Sequence, residues 1–366
     1  MNALVNVDGM PKVKGLFSVA SGLQQDENGI WHPDNPALSK VGISRDVSPV
    51  SLRDVGPAWY PKPLRIENVF APRFPGQIIN VSVGTNTLPK AIAESKPGHT
   101  IVLAPGVYDI DLEVPIVHPI TIKAQSIGSV SIRFKSSSLF SLDMSASLKL
   151  IGLNIFGEQS GKGKYANSVI RTKSYKLRNY NLVLESVNIS NLNSFDAFDF
   201  LRIHEQSFAE TIEINNSVFK NITGNVLALN KETEDRGLYN VEYVTVKNSE
   251  FLDIKGHAVN LYRGGTDEST FGPHLHISSS KFVNVGINKD QPGWQKAVFL
   301  HGVQRTELTE NVFEKSGDVT VNHTVGKPKT NISDNRFVGS PLPVIKELVR
   351  LGKPTAVLKN NVSIPK

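Results

Sequence analysis

A chain of 366 residues, 39% hydrophobic and 20% charged, has ordinary globular composition and enough length to bury a large core, which excludes disorder as its main state. Lys and Arg outnumber Asp and Glu by 40 to 34, a net +6 that tilts the choice of partner towards polyanions: nucleic acid, anionic lipid or acidic glycan. The absence of cysteine removes disulfides, thiolate metal sites and cysteine nucleophiles together, and no apolar run reaches the ~18 residues that a membrane span needs.

From Met1 to about Pro75 the chain is rich in Pro, Gly, Asp and Asn, with no sustained period of 2 or 3.6. This stretch reads as an extended tail or linker over residues 1–75, leaving 76–366 as the folded domain. Met1 to Ala20 lacks the basic start and apolar stretch of an export signal. After Asn80 a short apolar strand leads into TLPKAIAESKPG, where Leu88, Ala91 and Ile92 share one side of a short helix. Pro89 sits in its first turn, where a missing N–H does no harm. Such a helix suits a lid over the first rung of a solenoid.

Beyond it the chain repeats: ETIEINNSVFKNITG, VEYVTVKNSEFLDIKG, PHLHISSSKFVNVG, QRTELTENVFEKSG and PKTNISDNRFVGS. Phe219, Phe251, Phe282 and Phe313 recur at intervals of 32, 31 and 31 residues, and Phe337 follows 24 later. Weaker copies lie at Leu148 to Gly157 and Leu182 to Leu192. Short strands repeating with this period predict an all-β fold, a right-handed parallel β-helix of about ten coils. Coils stacked ~4.8 Å apart set Phe over Phe inside and Asn over Asn at the bends. The segment VIKELVRLGKP reads as a short amphipathic shield for the last coils.

A second strand follows each Phe turn: FLRIHE, VLALNKE, AVNLYRGG, AVFLHGV and VTVNHTV. With period-2 alternation, Ile203, Leu229, Leu261, Leu300 and Val321 point inward, so His204, Asn230, Tyr262, His301 and Asn322 form an outward column. Arg171 joins it if SVIRTK belongs to the same sheet, and Glu205, Lys231, Arg263 and His323 flank it one place later. A solvated ladder with incidental histidines is one reading of this column, and a groove for a long acidic chain is the other. In YRGGTDESTFGPH, Asp267 or Glu268 can hold the Arg263 guanidinium towards a carboxylate, or can form a purely structural ion pair with it. Calcium at the same acidic pair is a third reading, although the spacing fits no standard loop. A second acidic loop, NKETEDRG, places Glu232, Glu234 and Asp235 between Lys231 and Arg236.

The string VNLYRGGTDESTFGPHLHISSSKFVNVG, with LHGVQ and VNHTVG after it, resembles the alginate lyases of polysaccharide lyase family six, relatives of chondroitinase B. The similarity runs from about Gly22 onward and is greatest to the C-terminal β-helix of two-domain members, whose linker resembles DVGPAWYPKP at Asp54 to Pro63. The resemblance implies a bacterial protein acting on alginate by β-elimination in the extracellular space or periplasm. Among polyanions it selects the acidic polysaccharide, with no nucleic-acid and no membrane partner. It implies calcium as a possible cofactor, with no metal ligand assigned in this chain. An N-terminal lyase domain or a homodimer is the protein partner it suggests. Elimination from a uronate needs its carboxylate neutralised, a base for the C5 proton and an acid at the departing oxygen. The column offers Arg263 as clamp, Lys231 or His301 as base and Tyr262 as acid or positioning group. Arg171, His204, Asn230, Arg236 and His323 are the expected substrate contacts. The competing expectation is a non-catalytic polysaccharide-binding or scaffold domain of a two-domain lyase.

Overall fold

The computed structural model describes residues 23–25, 31–33, 69–71, 78–163, 167–172, 178–234, 238–265, 272–288, 293–326, 328–349 and 356–365. The chain divides into two compact units, residues 1–62 and 63–366. In the first, the strands Leu23–Gln25 and Trp31–Pro33 pair antiparallel, so this stretch contains a short hairpin.

The second unit is a parallel β-helix. Each coil passes once through each of three sheets, and every strand pairs with its equivalents in the coils before and after. The first sheet has 11 strands, from Ile78–Val81 to Ala356–Lys359; the second has ten, from Gly106–Ile110 to Val362–Ile364; the third has nine, from Val114–Ile116 to Val344–Glu347. The helix Thr87–Glu94 lies near the first coils and buries Leu88, Ala91 and Ile92, the three residues its period selects. Among the described residues no helix is long and apolar enough to cross a membrane.

Alternation sets which side chains enter the core. In Val130–Phe134, Val130, Ile132 and Phe134 are buried and Ser131 and Arg133 half-exposed, and the other strands show variants of this pattern. Stacking then brings like over like. Phe219, Phe251, Phe282, Phe313 and Phe337 are direct register partners. Their rings stack at centroid spacings of 5.2, 4.8, 4.5 and 5.0 Å, within 10° of parallel. The spacing matches the strand repeat, so each ring touches the one above and the one below.

The bend between the first and second sheets requires a left-handed residue in each coil, supplied at Asn216, Asn248, Ser279, Glu310, Asp334 and Asn360. Beside it runs a polar ladder. The backbone N–H of Ser217 donates to Ser249 Oγ at 3.2 Å, that of Ser249 to Ser280 Oγ at 3.1 Å and that of Ser280 to Asn311 Oδ1 at 3.0 Å. Asn311 continues it to Asn335 Oδ1 at 2.9 Å and Asn335 to Asn361 Oδ1 at 3.1 Å. A side chain from the next coil thus satisfies each amide that the bend leaves unpaired. At the bend into the third sheet the coils approach so closely that a Cβ on Gly256 would lie 2.6 Å from the Gly224 carbonyl oxygen.

One expectation is corrected at the C-terminal end. Val344–Glu347 is the last strand of the third sheet, parallel to Asp318–His323, and no amphipathic shield. Its β-branched start, Val344 and Ile345, suits a pleated ladder better than a helix. Residues 350–354 of the same segment lie outside the described residues.

Replacing Phe282 by Ala removes two ring contacts from the middle of the aromatic column. The expected cost is about 3–5 kcal/mol in denaturant unfolding. A loss below ~1 kcal/mol would show that the rings do not tie the coils together.

Candidate functional site

The third sheet places the inward residues as alternation requires. Leu229, Leu261, Leu300 and Val321 are successive register partners, and they and Ile203 are buried. One place on, Tyr262 pairs with His301, His301 with Asn322 and Asn322 with Lys346, all on the outer face. His204 and Asn230 hold the equivalent places after Ile203 and Leu229, the first exposed and the second half-buried. The sequence column therefore exists as a strip of surface.

At its centre the rings of Tyr262 and His301 lie flat against each other, with centroids 4.0 Å apart and planes 2° from parallel. Burial lowers the pKa of His301, which favours its neutral imidazole. Asn322 Nδ2 stands 3.5 Å from its Nδ1, at the outer limit of a hydrogen bond.

Two residues upstream runs a second outward row: Ser141, Arg171, Arg202, Ala228, Asn260, Phe299 and Thr320. Asn260 and Phe299 thus lie beside Tyr262 and His301, making a platform two residues wide. Asn260 is 8% exposed, and its Oδ1 has no hydrogen-bond partner; the same holds for Asn322 Oδ1. Both oxygens are themselves buried, and each lacks the donor that a buried acceptor needs. Lys296 Nζ lies 4.2 Å from the centre of the half-buried Phe299 ring, and His257 stands 6.2 Å from the rings of both Phe299 and Trp294. Sequence reasoning missed Asn260, Phe299 and Trp294. Period-2 counting from Tyr262 and His301 yields the first two, whereas Trp294 stands on an irregular connection with no period to follow.

Several expected site residues are placed otherwise. Arg171 does not continue the column of His204; it pairs with Arg202 in the second row and is held by Glu113 through two bonds of 2.6 and 2.8 Å. Arg263 is 1% exposed, and its backbone N–H donates to the His301 carbonyl at 2.9 Å. Its guanidinium is therefore buried beneath the face it was expected to serve. His323 is likewise 1% exposed, with Nε2 2.8 Å from Thr330 Oγ1. Both corrections have one cause: in a strand the residue after an outward one turns inward, so Tyr262 and Asn322 cannot share a face with their successors. Lys231 is half-buried, and its backbone N–H donates to Asn240 Oδ1 at 3.0 Å. Glu232, beside it, is buried and accepts from the backbone of Gln206 and from Asn240 Nδ2. Arg236, Asp235, Asp267 and Glu268 lie outside the described residues.

A buried polar chain adjoins the second row. Asp199 is 6% exposed, and its Oδ1 accepts from Asn225 N at 2.7 Å and Asn225 Nδ2 at 3.1 Å. Asn225 Oδ1 takes the His257 backbone N–H at 2.9 Å and approaches His257 Nδ1 at 2.8 Å. Burial pushes the Asp199 carboxyl up to about 6, against the pull of these donors and of Arg202 and Lys231, and pushes His257 down to about 4. Among the described residues no three His, Asp or Glu side chains converge as a metal site needs, so no step of chemistry is assigned to calcium.

Because the folded-state pKa of Asp199 is raised from 3.8 to about 6, its contribution to stability is present in acid and lost as pH rises through 6. At neutral pH the charged form thus costs about 3 kcal/mol. The isosteric Asp199→Asn is expected to raise the thermal unfolding midpoint at pH 7.5 and to leave it nearly unchanged at pH 4. A fall at pH 7.5 would show that the ionised carboxylate is needed.

No family model matches the sequence, and no curated protein matches it. Solved structures do match. The PL6 family alginate lyase AlyGC superposes with a TM-score of 0.79 at 36% sequence identity, over 93% of this chain and 46% of that one. An arginine-to-alanine mutant of the same enzyme matches to the same extent. The chain thus resembles this PL6 alginate lyase over 93% of its own length and spans about half the length of the enzyme it matches.

Proposed function

We propose that this chain is an alginate lyase-like β-helix that holds an acidic uronate polysaccharide across the outer face of its third sheet. The observation that carries this reading is the Tyr262–His301 stack, flanked by the unsatisfied acceptors Asn260 Oδ1 and Asn322 Oδ1. Flat aromatic edges with amides beside them suit a sugar, whose ring offers C–H faces and hydroxyl donors together. Similarity at 36% identity to an alginate lyase supports the uronate as the sugar, and the net +6 charge supports an acidic chain over a neutral one.

If the chain cleaves what it holds, His301 is the base. Its neutral imidazole can accept the C5 proton of the uronate, and the Tyr262 hydroxyl, stacked on it, can protonate the departing oxygen. Arg263 has no part in clamping the carboxylate from its buried place. A polymer of this size is met outside the cytoplasm, where we place the protein.

A second reading is binding without cleavage, beside an upstream lyase domain or a second copy. It is favoured by the burial of Arg263, which takes one expected cation from the sugar face, and by the match to about half of a larger enzyme.

The test is to titrate the purified chain with alginate oligosaccharides by calorimetry and to follow the absorbance of unsaturated product, with and without calcium. Binding is expected, and Tyr262→Ala should weaken it about tenfold, equivalent to ~1.4 kcal/mol. Product formation that His301→Ala abolishes without loss of binding assigns catalysis to this face. Binding with no product assigns the second reading, and no binding to a folded sample overturns both.

A further inference from the structure

The start of the strand Lys296–His301 turns one cation towards the sugar platform. In a regular strand a residue three places before Phe299 faces the core, because successive side chains alternate. Here Lys296 and Val298 oppose Asp318 and Val319, two steps of chain against one, so an extra residue enters the ladder as a β-bulge. That shift of one place brings Lys296 to the outer face, where its Nζ stands 4.2 Å from the centre of the Phe299 ring. Ala297 and Val298, between the two, are both buried. The backbone of the bulge is pinned by its neighbour. Gly286, at φ +66°, comes so close that a Cβ on it would lie 2.3 Å from the Lys296 carbonyl oxygen.

Lys296 is half-buried, and among the described residues its ammonium makes no ion pair and no hydrogen bond. Its register partner Asp318 accepts from the Thr320 hydroxyl at 3.0 Å and forms no ion pair with it. An aromatic face attracts a cation but takes up none of its strong hydrogen bonds, so the three N–H donors of the ammonium stay available. Phe299 lies two residues before His301 on the same face, about 7 Å along the strand, and pairs with Asn260 beside Tyr262. A cation without an anion of its own thus stands at one side of the platform. Its partial burial strengthens the pull it exerts on an incoming anion.

We propose that Lys296 is the residue that recognises the acid, seating a uronate carboxylate over Phe299 while the adjoining sugar lies on the Tyr262–His301 stack. The inference rests on the reading of this face as a uronate site, and it supplies the cation that the burial of Arg263 takes from that site. The ring of Phe299 positions the ammonium, and the bulge is the device that lets a lysine reach the ring at all.

Lys296 and the platform can be separated by two ligands, an alginate oligosaccharide and the same oligosaccharide with its carboxyl groups reduced to alcohols. Calorimetry on the full chain is expected to show tighter binding of the acid form, by about tenfold. Lys296→Met, which keeps the length of the side chain and removes its charge, should erase that preference and leave affinity for the reduced form unchanged. Lys296→Arg should retain most of it, and Tyr262→Ala should weaken both ligands alike. If Lys296→Met is destabilised, Phe299→Leu decides: it leaves the lysine in place without its ring, and the ratio of the two affinities should fall. An acid preference unchanged in Lys296→Met, or in Phe299→Leu where that variant decides, would overturn the role of Lys296 and leave the platform standing. Equal binding of the two ligands by the unaltered chain would do the same. No binding of either ligand would overturn both.

Discussion

Everything in this molecule depends on the lateral hydrogen bonding of one coil to the next in register. A parallel strand has no partner within its own turn of chain, so a single coil cannot satisfy its backbone or bury its apolar face. Stacking solves both at once: the strand ladders pair the amides, and Phe over Phe from 219 to 337 fills the interior at the strand spacing. The bends would break such a structure if their amides were left unpaired. The Ser and Asn ladder from Ser217 to Asn361 closes that gap, passing each amide to a side chain of the following coil.

The same constraint makes a surface. Residues far apart in sequence become neighbours ~4.8 Å apart, so Tyr262 can lie flat on His301 and Asn260 can stand beside Phe299. The backbone beneath is rigid, which fixes these side chains without help from a loop. Variation between coils is concentrated in the connections that enter and leave the third sheet, such as Val285 to Lys296 and Tyr262 to His274. A regular core and an irregular rim are thus consequences of one repeat.

How much of this is legible in sequence follows from which physical rule governs each residue. The Phe interval reveals the coil, because a ladder repeats its residues at the coil length. The inward set Ile203, Leu229, Leu261, Leu300 and Val321 is legible because burial enforces period 2. The column of Tyr262, His301 and Asn322 follows by the same count. The failure at Arg263 and His323 comes from setting that count aside for residues of attractive chemistry: a strand does not bend its pleat to bring two successive side chains to one face. Arg171 was misplaced by two residues because register is not readable from one strand alone. The strand at Val344 was read as an amphipathic shield because a lysine and a glutamate beside apolar residues fit either period over so short a span. Asp199 left the faintest trace, a single acid between Phe198 and Phe200, and its significance lies in partners on other coils.

The account's central claim is that the outer face of the third sheet is where the sugar lies. The most direct measurement is the crystal structure of the chain with a saturated alginate oligosaccharide. The account predicts sugar density against the edges of Tyr262 and His301, beside Asn260 and Asn322. Oligosaccharide seated on the outer face of the first or second sheet, with the Tyr262–His301 strip bare, would contradict it.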